Sequence, residues 1–376
     1  MRLQAPTNNS ALALSFVVSL IGAFAFRAEV LAAVNMSVAG VIILLNFKAA
    51  SHISEKERQA VMAFVVVVTA MLPVSVIRSE TAILHYFVVL LSLAAGILFT
   101  RNLDTYLKAS RYSLLIAQSA IILYLARTGL VGFPLENILP DSSSNGVTSY
   151  LIVLQANYCL INYLLNRRAS LLTSLTTLFI CFVGYGRGSL LAAAGIVGVG
   201  LLSKTGARNR YKTVLRLLIL SSIALFAIAS YSPWIDALIA GTKISYGLYD
   251  ESRATMIKEY LASLDAVTIW TGGGYTGTVI SSQFNGNPHN SFIRAHHIFG
   301  LPYLVAVLLM PFHLTRRSHP PTVRIHALAM WALVMFRSFT EPILFPTLFD
   351  FFYFSTCFAL SSDVRVQSVP RARLVV

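Results

Sequence analysis

Residues 82–100 read AILHYFVVLLSLAAGILFT, a continuous stretch of mostly apolar side chains. A helix needs about 20 such residues to cross the hydrocarbon core of a bilayer. The stretch is therefore predicted to span a membrane, and the same rule finds about twelve candidate spans along the chain. They lie near residues 10–26, 29–47, 60–77, 82–100, 112–130, 147–165, 170–186, 188–203, 213–231, 291–314, 325–340 and 345–361.

The composition agrees with a membrane location. Of the 376 residues, 56% are hydrophobic and 12% are charged, whereas soluble domains usually carry about 25% charged residues. This balance argues against a soluble enzyme and against a disordered chain. The sequence therefore predicts an all-α polytopic membrane protein, formed as a single transmembrane domain over residues 1–376.

The positions of the basic residues predict which side of the membrane each connecting loop faces. Twelve spans put both termini on the cytoplasmic side, and most of the 29 lysines and arginines then fall in connections on that side. This distribution follows the positive-inside rule, so the net charge of +14 is not interpreted as a nucleic-acid surface. One long hydrophilic loop, residues 232–290, is predicted on the outer face between spans nine and ten.

The long loop contains two stretches of interest. Residues 252–264 carry apolar residues at helical spacing, with Arg253 in the first predicted turn. If Arg253 has only a structural role, it is expected to form a solvent-exposed ion pair with Asp250. The tract Thr271-Gly272-Gly273-Gly274-Tyr275-Thr276-Gly277 allows either close approach of a ligand or a plain flexible loop, and Tyr275 is a candidate substrate contact.

The loop ends with Asn287-Pro288-His289-Asn290, directly before span ten. The proline is predicted to occupy the first turn of that helix. Helical spacing then puts His289 on one face with His296, and Arg294 with His297 on another. Ionisable groups inside a span are costly and often mark function. A metal site is an alternative, although no acidic residue at ligand spacing completes one.

Arg187 is a second anomaly, because it lies in an outer turn between spans seven and eight. Cations in membrane proteins are favoured on the inner side. The neighbouring small residues have a packing explanation, since they recur four apart and would let helices approach closely. They are Gly184, Gly188 and Ala192.

Two other sets of residues have structural interpretations. Arg337 and Glu341 are four residues apart at the end of span eleven and are predicted to form an ion pair. Cys159, Cys181 and Cys357 each lie inside an apolar stretch, and their spacing indicates neither a zinc site nor a disulfide.

The anomalous cations share one predicted face. Arg187, Arg253, Arg294 and His289 all map to the outer side. Guanidinium groups match phosphate oxygens with a rigid donor fork, so such a group suits a diphosphate. No acidic pair at metal spacing occurs nearby, which favours a metal-free site with no cofactor. His289 is a candidate general base because its intrinsic pKa lies near neutrality.

These motifs resemble those of the bacterial O-antigen ligase and O-antigen or exopolysaccharide polymerase superfamily. The resemblance covers roughly residues 170–315 and depends on the order of short motifs. The motifs are Gly186-Arg187-Gly188-Ser189-Leu190-Leu191, Arg253 with Trp270-Thr271-Gly272-Gly273-Gly274, and Pro288-His289-Asn290-Ser291-Phe292 followed by Gly300-Leu301.

The resemblance implies a C-type glycosyltransferase fold in the bacterial inner membrane, with the long loop and the active site facing the periplasm. Arg187 and Arg253 would bind the diphosphate of an undecaprenyl-linked oligosaccharide. His289 would assist deprotonation of the glycan acceptor, and Asn290 would orient it. Arg294, His296, His297 and Tyr275 are the further candidate substrate-binding residues.

In one respect the sequence departs from that family. Members often carry an acidic residue shortly before the glycine that matches Gly300, whereas this chain has His296-His297-Ile298-Phe299. The identity of the base therefore stays open. The outer-face carboxylates that could substitute are Glu29, Glu80, Asp250 and Glu341.

The motifs favour a polymerase that joins lipid-linked repeat units. A ligase that transfers glycan to lipid A–core is the closest alternative, since both enzymes use the same donor. A lipid-linked oligosaccharide transporter and a non-catalytic partner in polysaccharide export are alternatives of another class. A chain-length regulator is a further candidate partner.

Overall fold

The computed structural model describes residues 16–17, 29–45, 53–129, 134–136, 138, 143–184, 186–204, 251–315 and 319–361. Within those residues the chain forms helices and no strands, in agreement with the predicted all-α class. In chain order the helices are α1 (Glu29–Leu45), α2 (Glu55–Arg78), α3 (Ala82–Thr100), α4 (Leu103–Thr128), α5 (Ser144–Asn166), α6 (Leu171–Val183), α7 (Arg187–Lys204), α8 (Glu251–Ala262), α9 (Thr268–Thr271), α10 (Val279–Gln283), α11 (Ser291–Leu314), α12 (Pro321–Thr340) and α13 (Asp350–Ser361).

Four of these helices, α2, α3, α4 and α11, are long and apolar enough to cross a membrane. Helices α6 and α7 are apolar but shorter. The predicted spans near 147–165 and 325–340 are helical as well, as α5 and α12. The predicted span 213–231, most of span 10–26, and residues 232–250 of the long loop lie outside the described residues.

The last predicted span, 345–361, begins later than expected. Helix α13 starts at Asp350, and the residues before it form a turn. The Asp350 carboxylate accepts hydrogen bonds from the backbone N–H groups of Phe345 at 2.8 Å and Thr347 at 3.2 Å. A carboxylate that binds preceding N–H groups holds the chain in a turn instead of a continuous helix.

Helices α3 and α13 pack closely at the centre of the bundle. A β-carbon on Gly96 would lie 2.8 Å from the Cβ of Phe354, so glycine permits this approach. Phe99 and Phe351 pack edge to face nearby, with ring centroids 5.1 Å apart. Helix α5 packs against α13 and is buried along most of its length. The core therefore fixes α3, α5 and α13 relative to one another.

Helix α2 begins with a capping box that also ties two other elements together. The Ser54 hydroxyl accepts from the N–H of Glu57, and the Glu57 carboxylate accepts from the N–H of Ser54. The same carboxylate pairs with Arg101 at 3.1 Å and accepts from the Ser361 hydroxyl. One buried acid thus joins the start of α2 to the ends of α3 and α13.

Helix α11 is broken at Gly300, although the sequence predicted one continuous span. Gly300 has φ +73° and ψ −176°, a conformation that non-glycine residues rarely adopt. The break frees carbonyl groups at the end of the first segment. The Arg78 side chain donates to the carbonyl of His297 at 2.5 Å, and Ser75 donates to that of Ile298 at 2.5 Å. Helix α2 therefore holds the first segment of α11 in place.

We expect the substitution Gly300→Ala to destabilise the protein. The new β-carbon would lie 2.3 Å from the backbone oxygen of Trp270. The backbone conformation alone would cost about 1–3 kcal/mol for a residue other than glycine. The apparent melting temperature of the detergent-purified protein should fall by several degrees. Gly198→Ala is the matched control, because no atom lies within 4 Å of the position that its new β-carbon would occupy; equal melting of the two variants would contradict the expectation.

Candidate functional site

A cavity of about 780 Å³ opens at the end of the bundle where α3, α5 and α11 begin. Its wall combines residues from those helix starts with the 285–289 turn and with the segment that follows α12. Cavities of about 300–1,000 Å³ are typical of ligand sites. Four predicted site residues line it, namely Tyr275, His289, Arg294 and His297. The other four, Arg187, Arg253, Asn290 and His296, lie outside the lining.

Glu341 joins one of those outer residues to the cavity. Its carboxylate lies 3.0 Å from an Arg253 guanidinium nitrogen and 3.5 Å from one of Arg337. The Nδ1 atom of His289 lies 3.8 Å from the other carboxylate oxygen. The predicted Arg337–Glu341 pair is confirmed, but it belongs to a larger cluster. Asp250, the alternative partner for Arg253, lies outside the described residues.

The charges in this cluster keep Glu341 ionised. Burial by itself raises the pKa of the Glu341 carboxyl, but the neighbouring His289, Arg337 and Arg253 outweigh it, so its pKa lies below the usual range. The side chains of Arg337 and Glu341 are only 1% and 7% exposed. Two guanidinium groups share one carboxylate, so the cluster carries an excess of positive charge.

Arg187 begins α7 beside the same cluster. A β-carbon on its neighbour Gly188 would lie 3.3 Å from an Arg337 guanidinium nitrogen. Arg337 also donates to the backbone oxygen of Asn145 at 3.1 Å, and Ser189 contacts Thr148 at 2.8 Å. The close packing expected at Gly188 is thus confirmed. The predicted seam is not, because Gly184 caps the end of α6 while Gly188 and Ala192 lie on α7. The start of α7, with Arg187, packs against the start of α5 and the end of α12.

The turn that carries His289 differs from its prediction. Helix α11 begins at Ser291, and the Asn290 side chain caps it by accepting from two backbone N–H groups at 2.8 and 3.1 Å. Pro288 is therefore not in the first turn. His289 lies outside the helix at φ +47°. The expected face shared by His289 and His296 is wrong for this reason, since helical spacing does not apply to a residue before the cap.

The 289–291 turn is fixed against the segment after α12. The Ser291 hydroxyl donates to the backbone oxygen of Glu341 at 2.7 Å and accepts from the N–H of Leu344 at 3.1 Å. The N–H of His289 donates to the Asn287 side chain at 3.1 Å. These bonds hold the His289 imidazole beside the Glu341 carboxylate.

The glycine-rich tract is packed against α11. Gly272 has φ +95°, and a β-carbon there would lie 2.1 Å from the backbone oxygen of His296. His297 Nδ1 lies 2.6 Å from the backbone oxygen of Gly273, and its ring stacks on Tyr275 with centroids 3.9 Å apart. Close approach to the backbone of α11 therefore explains Gly272, whereas Gly273 packs against the Leu264 side chain. The same packing brings Tyr275 to the cavity.

His296 does not line the cavity and instead contacts the long loop. Its Nδ1 lies 2.7 Å from the Tyr260 hydroxyl on α8, and its Nε2 lies 2.7 Å from the backbone oxygen of Ile269. Burial raises the pKa of Tyr260 to about 12, so the phenol stays neutral. His296 therefore holds α8 and α9 against α11, while Arg294 and His297 reach the cavity.

Sequence reasoning missed several cavity residues. His85 lies in the first turn of α3 and lines the cavity, together with Tyr150 from α5. The argument that ionisable residues in spans mark function would have found His85. No comparable signal existed for Glu341 as the centre of a cluster, because its partners are distant in sequence. The described residues contain no group of three or more His, Cys, Asp or Glu side chains that could bind a metal ion.

Comparison with known proteins does not assign the chain to a family. No protein-family model matches it, and no curated protein matches it significantly. The resemblance to the O-antigen ligase and polymerase superfamily therefore stays a prediction from the short motifs.

Proposed function

We propose that this chain is a membrane glycosyltransferase that polymerises undecaprenyl-diphosphate-linked oligosaccharide repeat units. The observation that supports it is the cluster around Glu341, in which Glu341 and His289 line the cavity and Arg253 and Arg337 contact the carboxylate from outside the lining. Guanidinium groups suit a diphosphate leaving group, and an imidazole beside a carboxylate suits a general base. Binding and deprotonation are the two tasks that such a transfer requires.

In the proposed reaction, Arg187 and Arg253 bind the diphosphate of the donor lipid. His289 accepts the proton of the acceptor hydroxyl, whose oxygen forms a bond to the anomeric carbon of the donor sugar. The bond from that carbon to the diphosphate oxygen breaks, and undecaprenyl diphosphate leaves with the electron pair. Because Nδ1 of His289 faces Glu341, Nε2 is the atom available to the acceptor. The carboxylate would stabilise the imidazolium that forms.

The proposed topology has about twelve spans in the bacterial inner membrane, with both termini cytoplasmic and the cavity facing the periplasm. We expect Thr276→Cys to react with a membrane-impermeant maleimide in cells whose outer membrane is permeabilised, because this exposed loop residue would face the periplasm. Lys56→Cys, exposed near the start of α2, should react only after cell lysis. Cys159, Cys181 and Cys357 are buried, so background labelling should be low. The opposite labelling pattern would contradict the proposed topology and show the reverse orientation.

Reconstitution tests the reaction directly. The full chain would be purified into nanodiscs and given undecaprenyl-diphosphate-linked repeat units from the source strain. A polymerase produces a ladder of lipid-linked oligomers on a glycan gel. A ladder that is lost when His289 is replaced supports the proposal. Failure of the folded protein to form any ladder contradicts it.

The same reaction mixture separates the alternatives. If the repeat units stay monomeric, lipid A–core is added, and transfer of glycan to it identifies a ligase. If neither product forms, movement of fluorescent lipid-linked oligosaccharide across a proteoliposome membrane identifies a transporter. Absence of all three activities favours a non-catalytic partner in polysaccharide export.

We expect chelators to have little effect on ladder formation. The proposed site neutralises the diphosphate with arginine side chains, which need no metal. Product formed in excess EDTA should match product formed without it within about twofold. Loss of activity in EDTA that one added divalent metal restores would contradict the metal-independent assignment.

A further inference from the structure

Arg294 is a cation on the cavity wall with little compensation from the protein. Its guanidinium donates to the backbone oxygen of Pro342 at 3.4 Å. Among the described residues, no carboxylate lies within 4 Å of it. Asp350 acts on it from a greater distance, and that carboxylate already accepts from two backbone N–H groups. A half-buried guanidinium without a carboxylate partner can gain much from an anion.

Tyr275 supplies a second donor beside it. Its hydroxyl is buried and has no hydrogen-bond partner among the described residues, and the residue lines the same cavity. Burial raises the pKa of this phenol, which therefore keeps its proton, and the Arg294 charge reaches it. Buried hydroxyl groups usually have a hydrogen-bond partner, so this one points to a ligand.

His85 completes the arrangement from α3. It lines the cavity and is close enough to Arg294 and His297 to be affected by their charges. The two imidazoles thus lie in the same cavity wall as Arg294. An anion bound there would give Arg294 the counter-charge that no carboxylate of the described residues supplies within 4 Å.

This group is distinct from the Glu341 cluster. Arg253 and Arg337 pair with Glu341, whereas no atom pair between Arg294 and Glu341 lies within 4 Å as an ion pair. The described residues therefore hold two cationic centres, of which Arg294 lines the cavity while Arg253 and Arg337 lie behind Glu341, outside the lining. A single donor diphosphate accounts for one of them.

We propose that Arg294, Tyr275 and His85 form a second anion-binding subsite, which takes an oxyanion group of the acceptor substrate. The shared chemistry is a phosphate or carboxylate oxygen held by a guanidinium and a phenol hydroxyl. The group would come from either the diphosphate of a second lipid-linked molecule or the carboxylate of an acidic sugar. The assignment to the acceptor depends on the proposed function, since the donor diphosphate is assigned there to Arg187 and Arg253.

Binding measurements on the full chain in nanodiscs test the subsite without turnover. Inorganic pyrophosphate and methyl glucuronide serve as the two anionic probes, and methyl glucoside serves as the neutral one. Titrations use an Arg253→Gln background, which weakens the donor site. Binding of pyrophosphate in that background points to a phosphate source, and binding of the glucuronide points to an acidic sugar.

We expect Arg294→Gln to weaken binding of the preferred anion at least about tenfold, because a charge-assisted donor pair is lost. Tyr275→Phe removes only the hydroxyl and keeps the ring stacked on His297, so it should weaken the same anion while the fold persists. Arg127→Gln is the control, since this arginine is exposed and outside the cavity lining. Anion affinity that neither Arg294→Gln nor Tyr275→Phe changes, or absence of binding by both anions, overturns the proposal.

The anion-binding subsite and the polymerase proposal can fail independently of each other. If no glycan ladder forms but anion binding depends on Arg294, the polymerase proposal fails and the subsite stands. If the ladder forms and Arg294→Gln leaves the KM for the repeat unit unchanged, the polymerase proposal stands and the subsite fails.

Discussion

Replacement of His289 by alanine is expected to reduce ladder formation about 10²- to 10⁴-fold, the usual contribution of a positioned general base. The residue lines the cavity in a left-handed backbone conformation that its neighbours hold in place. Its Nδ1 lies 3.8 Å from the Glu341 carboxylate. Quantified oligomers per enzyme per minute, with protein amount matched by gel filtration, would measure the effect.

His313→Ala provides the matched control for this experiment. That histidine lies near the other end of α11 and is exposed, so its removal should leave the rate unchanged. Ladder formation at the normal rate by His289→Ala would exclude His289 as the base. The carboxylates near the cavity, Glu341 first, would then be the remaining candidates.

Glu341→Gln is the second substitution for which we expect a large loss, here of both stability and activity. The substitution leaves Arg253 and Arg337 facing each other without a carboxylate, and the Arg337 side chain is 1% exposed. Removing one partner of a buried ion pair typically costs about 3–5 kcal/mol. We therefore expect a marked fall in apparent melting temperature and loss of ladder formation.

An exposed pair gives the control for the Glu341 experiment. Glu55 and Arg58 form an ion pair with side chains 60% and 62% exposed, and such pairs contribute about 0–1 kcal/mol. Glu55→Gln should therefore change neither melting nor activity. In an Arg337→Gln background, Glu341→Gln should cost less than it does alone, because the two residues are coupled. Additive effects would show that the pair is not the source of the loss.

The pH dependence of stability follows from the same carboxylate. Its pKa in the folded protein is lowered, so its contribution is complete above the ordinary glutamate value of 4.5 and is lost as the pH falls through the lower folded value. Glu341→Gln lacks this group. The difference in melting temperature between the two proteins should therefore be greatest near neutral pH and should narrow in acid.

The sequence predicted the helices well where apolar stretches were long. Span 82–100 coincides with α3, because nothing in the stretch competes with a helix. Breaks and caps were harder to predict. The break at Gly300 depends on the approach of Trp270 and Thr271, which is a tertiary contact. The start of α13 depends on the Asp350 carboxylate, which holds the preceding residues in a turn.

The candidate site was predictable only in part. Unusual cations in predicted spans and outer loops pointed to His289, Arg294 and His297, all of which line the cavity. Their grouping was not predictable, because Glu341 meets Arg253 and His289 through tertiary packing. Sequence spacing could show only the local Arg337–Glu341 pair. The left-handed conformation of His289 likewise arises from the bonds around its turn and has no signature in residue type.

The break in α11 also has a mechanical consequence. A continuous helix would pass the motion of its far end to Arg294 and His297, but at Gly300 the two segments are joined by one irregular residue. The first segment is instead bonded to α2, through Arg78 and Ser75. The position of Arg294 and His297 in the cavity wall therefore depends on α2 and is uncoupled from the far end of their own helix.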